Sequence, residues 1–290
     1  MNIAKNKLQI CIIMPAYRSA DTIETAIRSI KNCSVGLKIA VSVRKNDVAT
    51  IEAVKKLEHP NVCIIEQSGT GISNARNTVL RTVTADFYLF LDSDDSIVGE
   101  ILEFYARDIK HSTEVCLRYC DWIAQLPDGS ERQKKVPFIS NRHLSCSLLC
   151  IENFLATGGT LLDKRIVDDI GYFDETLSHG EDWEYWIRVH RRYAFKKAPL
   201  IGLKYRHTKL SQLRSRPFWM QEVDIIRRHN PSKFLRMFGI ACAKGRYAIY
   251  FLLTFSARSH IEKLDYKVTD FLWIPFALSL KLFKRALSYL

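Results

Sequence analysis

Short apolar runs and amphipathic stretches alternate along the N-terminal third of the chain. Leu8 to Met14 reads as a buried strand stopped by Pro15, and Asp21-Thr-Ile-Glu24 resembles a capping box, predicting a helix to about Cys33. The pattern then predicts a strand over Leu37–Val43, a helix from about Thr50 to Leu57, a strand over Val62–Ile65, a helix from about Ile72 to Val83 and a strand over Phe87–Leu91. The strands are continuous apolar runs, so both faces of the sheet are expected to be covered. Strands alternating with helices predict an α/β fold with a doubly wound, mostly parallel sheet. Beyond Ser96 the regularity loosens into a helix to about His111, a strand over Val115–Ala124 and a turn at Pro127-Asp128-Gly129. After Asn230-Pro231 the chain turns both apolar and basic, predicting a C-terminal helical extension. Three regions are expected: 1–95, 96–216 and 217–290.

With 290 residues the chain has room for a large core. The formal charge of +12 is uneven, because residues 231–290 carry ten Lys/Arg against three Asp/Glu, a local +7. Such a tail suits an anionic membrane surface. No nucleic-acid-binding motif accompanies it, so no nucleic acid partner is expected. Four of the eight cysteines lie in apolar stretches and the set lacks common zinc spacings, which predicts buried thiols in a reducing compartment. The N-terminal run Ile10 to Met14 is too short for a secretory signal, predicting retention in the cytoplasm.

Chemistry concentrates at three places. Leu91 is followed by Asp92, Asp94 and Asp95, at the carboxyl end of a strand, where open α/β sheets bind ligands. Packed acids repel, which suits a divalent cation with hard oxygen ligands, Mg²⁺ or Mn²⁺; the same acids would also suit a helix N-terminus near Ser96. Gly69-Thr-Gly71-Ile-Ser73-Asn-Ala-Arg76-Asn77 sets small residues at a helix start, where free N–H groups attract anions, and adds an arginine able to meet a phosphate. Farther on come Gly158-Gly159-Thr160, Gly171-Tyr-Phe-Asp-Glu175 and Gly180-Glu181-Asp182-Trp-Glu184, whose acids open a helix. Glu181 and Asp182 become general-base candidates beside a metal-type cluster.

These motifs, together with Pro15-Ala16-Tyr17 and Tyr205-Arg206-His207, occur in an order that resembles the family-2 inverting glycosyltransferases of GT-A fold, over about residues 8–216. The resemblance implies a metal-dependent enzyme of hexosyltransferase type that takes a nucleotide-sugar donor, commonly a UDP-sugar. It implies a nucleotide-sugar-binding half over 1–95 and an acceptor-side half over 96–216. By position it implies Asp92 and Asp94 at the metal and diphosphate, His207 near them, and Asp182, with Glu181 beside it, as the base. Pro15, Ala16, Tyr17, Asp47, Arg76 and Asp92 fall at donor-binding positions.

One segment departs from the pattern. After the second strand the family usually carries two acids and Gly-Ser, one acid meeting the nucleobase; here Val43-Arg44-Lys45-Asn46-Asp47 keeps only Asp47. The usual uridine contact is therefore in doubt, and Arg44 and Lys45 read either as contacts for a phosphate or an acidic donor or as two solvated basic residues. In the tail, the apolar runs 234–257 and 271–283 are broken by Lys244, Arg246, Pro275 and Lys281, short of the roughly 20 residues a spanning helix needs. A peripheral position on the inner face of the plasma membrane is expected, the alternative being a helical pair packed on the catalytic domain or a second subunit; membrane contact would imply a lipid-linked glycan or lipopolysaccharide-type acceptor for surface polysaccharide. The rival readings are a sugar nucleotidyltransferase, which would not need Glu181-Asp182 or the tail, and a degenerate binding subunit.

Overall fold

The computed structural model describes residues 8–138, 141–207, 216–230, 232–234, 236–244, 275 and 278. In chain order the elements are β1 (Gln9–Ala16), α1 (Ile23–Arg28), β2 (Gly36–Val43), α2 (Val48–Lys56), β3 (Val62–Glu66), α3 (Ile72–Thr82), β4 (Phe87–Phe90), β5 (Ser96–Ile97) and α4 (Ile101–His111). They continue with β6 (Cys116–Gln125), β7 (Glu131–Lys134), α5 (Arg142–Leu149), β8 (Leu161–Asp163), α6 (Lys164–Ile170), α7 (Glu181–Arg192), β9 (Ala194–Arg206) and α8 (Arg216–His229). The residues divide into two compact units. One comprises 1–135, 155–176 and 188–208, the other 136–154, 177–187 and 209–290.

The first unit holds the sheet, in the order β3-β2-β1-β4-β8-β6-β9-β5, with β7 paired to β6. β1, β2, β3 and β4 run parallel, as the alternation of strands and helices predicts. β8 then enters antiparallel between β4 and β6, while β6 and β9 run parallel. Ile10, Ile12 and Met14 on β1 pack in one core with Ile39 and Val41 on β2, Ile23 and Ile27 on α1, and Ile101 and Tyr105 on α4. The alternate residues Cys11, Ile13 and Ala40 are equally inaccessible, so the sheet is covered on both faces, with α3 against β1 and β2. Each such Ile or Leu contributes on the order of 1.5–3 kcal/mol by leaving water.

Two boundaries differ from expectation. α1 ends at Arg28 rather than near Cys33, and Thr22 at its N-cap makes no side-chain cap bond; Ser19 O instead accepts from Thr22 N and Ile23 N at 3.0 and 2.9 Å. The stretch after the aspartates is not a helix start. Ser96 and Ile97 form β5, antiparallel to β9, and α4 begins only at Ile101. The cysteines are free thiols, as expected, and burial pushes Cys11 up to about 12.

In the second unit, Trp183 Nε1 donates to Leu149 O, Glu184 Oε1 meets His229 Nε2 at 3.2 Å, and Asn230 Nδ2 donates to Cys150 O at 2.8 Å. These bonds tie the start of α7 to the ends of α5 and α8. Trp183, Tyr185 and Trp186 are buried, as the helix pattern predicts. Among the described residues no helix is long and apolar enough to cross a membrane. The first apolar run of the tail is described only to Lys244, and the second lies outside the described residues except for Pro275 and Leu278.

Candidate active site

The carboxyl ends of β1, β2, β3 and β4 converge on a cavity of about 640 Å³ in the first unit. Tyr17 and Arg18 follow β1, Arg44 follows β2, Gln67 follows β3, and Asp92 to Asp94 follow β4; Tyr205 and Arg206 close the rim from the end of β9. This is where a parallel sheet presents its ligand, because strand ends and helix N-termini face the same way. Gly71, at φ +89°, lines the cavity and precedes the first residue of α3, a backbone conformation that side-chain-bearing residues seldom adopt.

The aspartates divide their work. Asp92 Oδ1 accepts from Arg76 Nη2 at 3.1 Å and keeps a quarter of its side chain exposed. Burial raises the Asp94 carboxyl above the usual carboxylate range, and the negative charge of Asp92 raises it further. Asp95 does not line the cavity. It is 2% exposed, its Oδ1 accepts from Arg206 N at 2.8 Å, and burial drives its carboxyl well up, with Asp92 and Asp94 adding to the effect. Asp95 thus fastens β9 beneath the cavity. Gly158-Gly159-Thr160 lies under the same corner: Gly159 N donates to Phe90 O at 2.9 Å and Phe90 N to Thr160 O at 3.0 Å, extending the β4–β8 pairing up to the aspartates. A Cβ on Gly159, at φ +76°, would stand 2.9 Å from Cys120 Sγ.

Pro15, Ala16, Tyr17 and Asp92 line the cavity together with Asp94; Arg76, Asp47 and His207 do not. Arg76 is 1% exposed, holding Asp92 on one side and lying 5.5 Å from the Phe173 ring on the other. Asp47 caps α2, accepting from Thr50 N at 3.4 Å, and its Oδ2 accepts from Arg18 N at 2.6 Å. That second bond holds Arg18 at φ +52°, a left-handed conformation that costs about 1 kcal/mol or more. His207 packs its ring 4.9 Å from Tyr205, and burial lowers its pKa, with Lys134 adding to the effect. Among the described residues no three His, Cys, Asp or Glu side chains gather as a metal-holding group. Asp92 and Asp94 nonetheless fit a Mg²⁺-type ion, which takes one or two carboxylates and completes its shell from phosphate and water; the crowding felt at Asp94 is what such an ion would relieve.

The cavity also holds three arginines, of which Arg44 and Arg206 fall in segments singled out in the sequence and Arg18 does not. Arg18, Arg44 and Arg206 line it, and none of the three forms an ion pair among the described residues. Arg44 and Arg18 instead lie 4.5 and 5.2 Å from the ring of Tyr17, itself 49% exposed. The guanidinium groups of Arg18 and Arg206 beside two carboxylates suit a diphosphate with its counterion.

In the second unit, Asp182 stands in the first turn of α7. Its Oδ2 accepts from Asn153 Nδ2 at 3.2 Å and its Oδ1 from Trp183 N at 2.7 Å, which fixes the carboxylate's orientation. Glu181 beside it is buried to 8% exposure.

Residues 11–171 match the model of the family described as "Glycosyl transferase family 2". The chain belongs to that family. It is 24% identical over 194 residues to an uncharacterized glycosyltransferase of Rickettsia prowazekii, a match covering 63% of this chain and 58% of that protein. It is 20% identical over 204 residues to the uncharacterized glycosyltransferase YwdF of Bacillus subtilis, covering 68% of this chain and 74% of the relative. Among solved structures it is similar to residues 1–349 of S. aureus TarS in complex with UDP-GlcNAc, at 16% identity and a TM-score of 0.63, over 94% of this chain and 80% of that one. It is also similar to the mannosyltransferase PcManGT of Pyrobaculum calidifontis in complex with GDP-Man and Mn²⁺, at 14% identity and a TM-score of 0.57, over 98% of this chain and 84% of that one. At these identities the structural likeness establishes the fold, the GT-A-like α/β architecture expected from the motif order.

Proposed function

We propose that this glycosyltransferase transfers a sugar from a nucleoside-diphosphate donor to a hydroxyl of a surface-glycan or lipid-linked acceptor, by a single inverting displacement. The observation that carries the reading is the cavity that Asp92 and Asp94 share with Arg18 and Arg206, two cations that form no ion pair among the described residues. Asp92 and Asp94 would hold a Mg²⁺ or Mn²⁺ ion, which supplies charge neutralisation for the departing diphosphate. Pro15, Ala16 and Tyr17 border the nucleoside, and Asp47 and Arg76 act through the neighbours they hold, Arg18 and Asp92. His207 supports the β9 rim. Asp182 takes the proton of the acceptor hydroxyl, in a carboxylate orientation that Asn153 maintains, with Glu181 as its neighbour in the helix turn. That solved relatives are in complex with UDP-GlcNAc or with GDP-Man and Mn²⁺ supports a nucleotide-sugar donor.

The tail bears on the acceptor. Phe234 is 74% exposed and Met237 63% exposed on a segment rich in basic residues, which favours reversible adsorption to an anionic inner leaflet. An acceptor carried on lipid would then be met at the membrane surface. The donor part of this reading is tested by thermal shift of the full chain against a panel of nucleotide sugars with and without Mn²⁺. A donor that binds the native state raises Tm, and by more when Mn²⁺ is present; a Tm indifferent to every sugar nucleotide contradicts it.

A further inference from the structure

The nucleoside end of the cavity has a donor-only chemistry that bears on the base. β1 lies between β2 and β4, so Arg44 at the end of β2 stands two strand spacings from Asp92 at the end of β4, roughly 10 Å. A diphosphate at Asp92 and Asp94 therefore directs its nucleoside toward Tyr17 and Arg44. Tyr17 borders the cavity there, and the guanidinium of Arg44 lies over its ring, 4.5 Å from the centroid. The Arg44 side chain has no hydrogen-bond or ion-pair partner among the described residues, and its Nε is buried with none. The nearest carboxylate along the chain, Asp47, is occupied by Arg18 N and Thr50 N and does not line the cavity.

A guanidinium only donates, and does so through two parallel N–H groups. We propose that Arg44 selects a base that offers two adjacent acceptors, guanine through O6 and N7 or cytosine through N3 and O2, over uracil. In uracil the acceptors O2 and O4 flank the N3–H, which Arg44 cannot satisfy; thymine shares that edge, and adenine sets its amine beside N1 and N7. Gln67, one strand farther out, donates through Nε2 to Gly71 O at 2.9 Å, which leaves its Oε1 to accept from the amine or N–H beside the acceptor pair. This inference rests on the nucleoside-diphosphate reading and adds the base to it.

The test is calorimetric titration of the full chain with GDP, CDP, UDP and ADP in Mn²⁺, repeated on Arg44→Lys, which keeps the charge and removes the fork. GDP or CDP should bind roughly tenfold or more tighter than UDP, the usual scale for one bidentate arginine contact, and whichever of the two wins identifies the base. Arg44→Lys should erase that preference and leave UDP affinity within about twofold. UDP binding as tightly as both rivals would overturn the proposal. So would an equal loss for all four nucleotides in Arg44→Lys, which would make Arg44 a phosphate contact. If no diphosphate binds at all, the donor-site reading itself fails, a result separable from loss of base preference alone.

Discussion

At the residue scale, the carboxylates of this molecule differ by what each has already found to hold. Asp92 is shared with Arg76, Asp95 is spent on the backbone of Arg206, and Asp94 borders the cavity with its carboxyl raised by burial and by Asp92. Removing Asp94 therefore relieves repulsion rather than breaking a bond. Asp94→Ala should leave Tm without metal level or higher while abolishing Mn²⁺-dependent donor binding, both measurable by thermal shift; unchanged Mn²⁺-dependent affinity would remove the metal assignment. Asp182→Asn keeps the side-chain shape and removes the base, so donor affinity should persist while transfer falls about 10²-fold or more. Glu181→Gln should stay near wild type in the same transfer assay, and the reverse pattern would move the base to Glu181. The places of Asp92, Asp94 and Tyr17 on the cavity wall were legible because they sit where strands end. Asp47 and Arg76 were not, because a charged residue's spacing says nothing of the partner it meets: Asp47 found a helix end and Arg18, Arg76 found Asp92 and Phe173.

At the scale of elements, the boundaries came from periodicity and the joints did not. Strands β1 to β4 and helices α2 and α3 fall within a residue or two of where the apolar runs and amphipathic stretches place them, since those stretches have sharp polar edges. β5 and β7 left no such signal: β5 is two residues long and all four residues of β7 are exposed. The joint between the Gly69–Gly71 turn and the segment after α6 was equally invisible. Glu175 accepts from Asn74 Nδ2 at 2.7 Å and Asn77 Nδ2 at 2.8 Å, across about a hundred residues of chain, and pairs with Arg81 at 3.0 Å. The asparagine bonds first, and Arg81 after them, hold its carboxyl below the ordinary glutamate range. A depressed folded-state pKa contributes stability above the unfolded pKa, roughly 4.3, and loses it as the pH falls through the folded value. Wild-type Tm should therefore drop more steeply between about pH 5 and pH 3 than that of Glu175→Gln; parallel Tm curves for the two proteins would contradict the clamp.

At the scale of the molecule, the charge and the apolar surface are divided unevenly. The excess basicity lies in residues 231–290, where Phe234 and Met237 stand exposed, while the cavity gathers its own cations at the sheet's carboxyl edge. Each basic side chain near an anionic bilayer contributes about 1 kcal/mol, screened by salt. The full chain should sediment with anionic liposomes at low salt, release as salt rises and bind neutral liposomes less well. Indifference to both, with loss of a dimer on truncation at residue 230, would make the tail an oligomerisation element.

Delivery of a sugar from a nucleoside diphosphate by the Asp92–Asp94 cavity is measured by incubating the full chain with GDP-, CDP- and UDP-sugars in Mn²⁺ and identifying the nucleotide product. Slow release of a nucleoside diphosphate that disappears in Asp94→Ala and on chelation is the predicted result. Release of pyrophosphate, or equal release by Asp94→Ala, would contradict it.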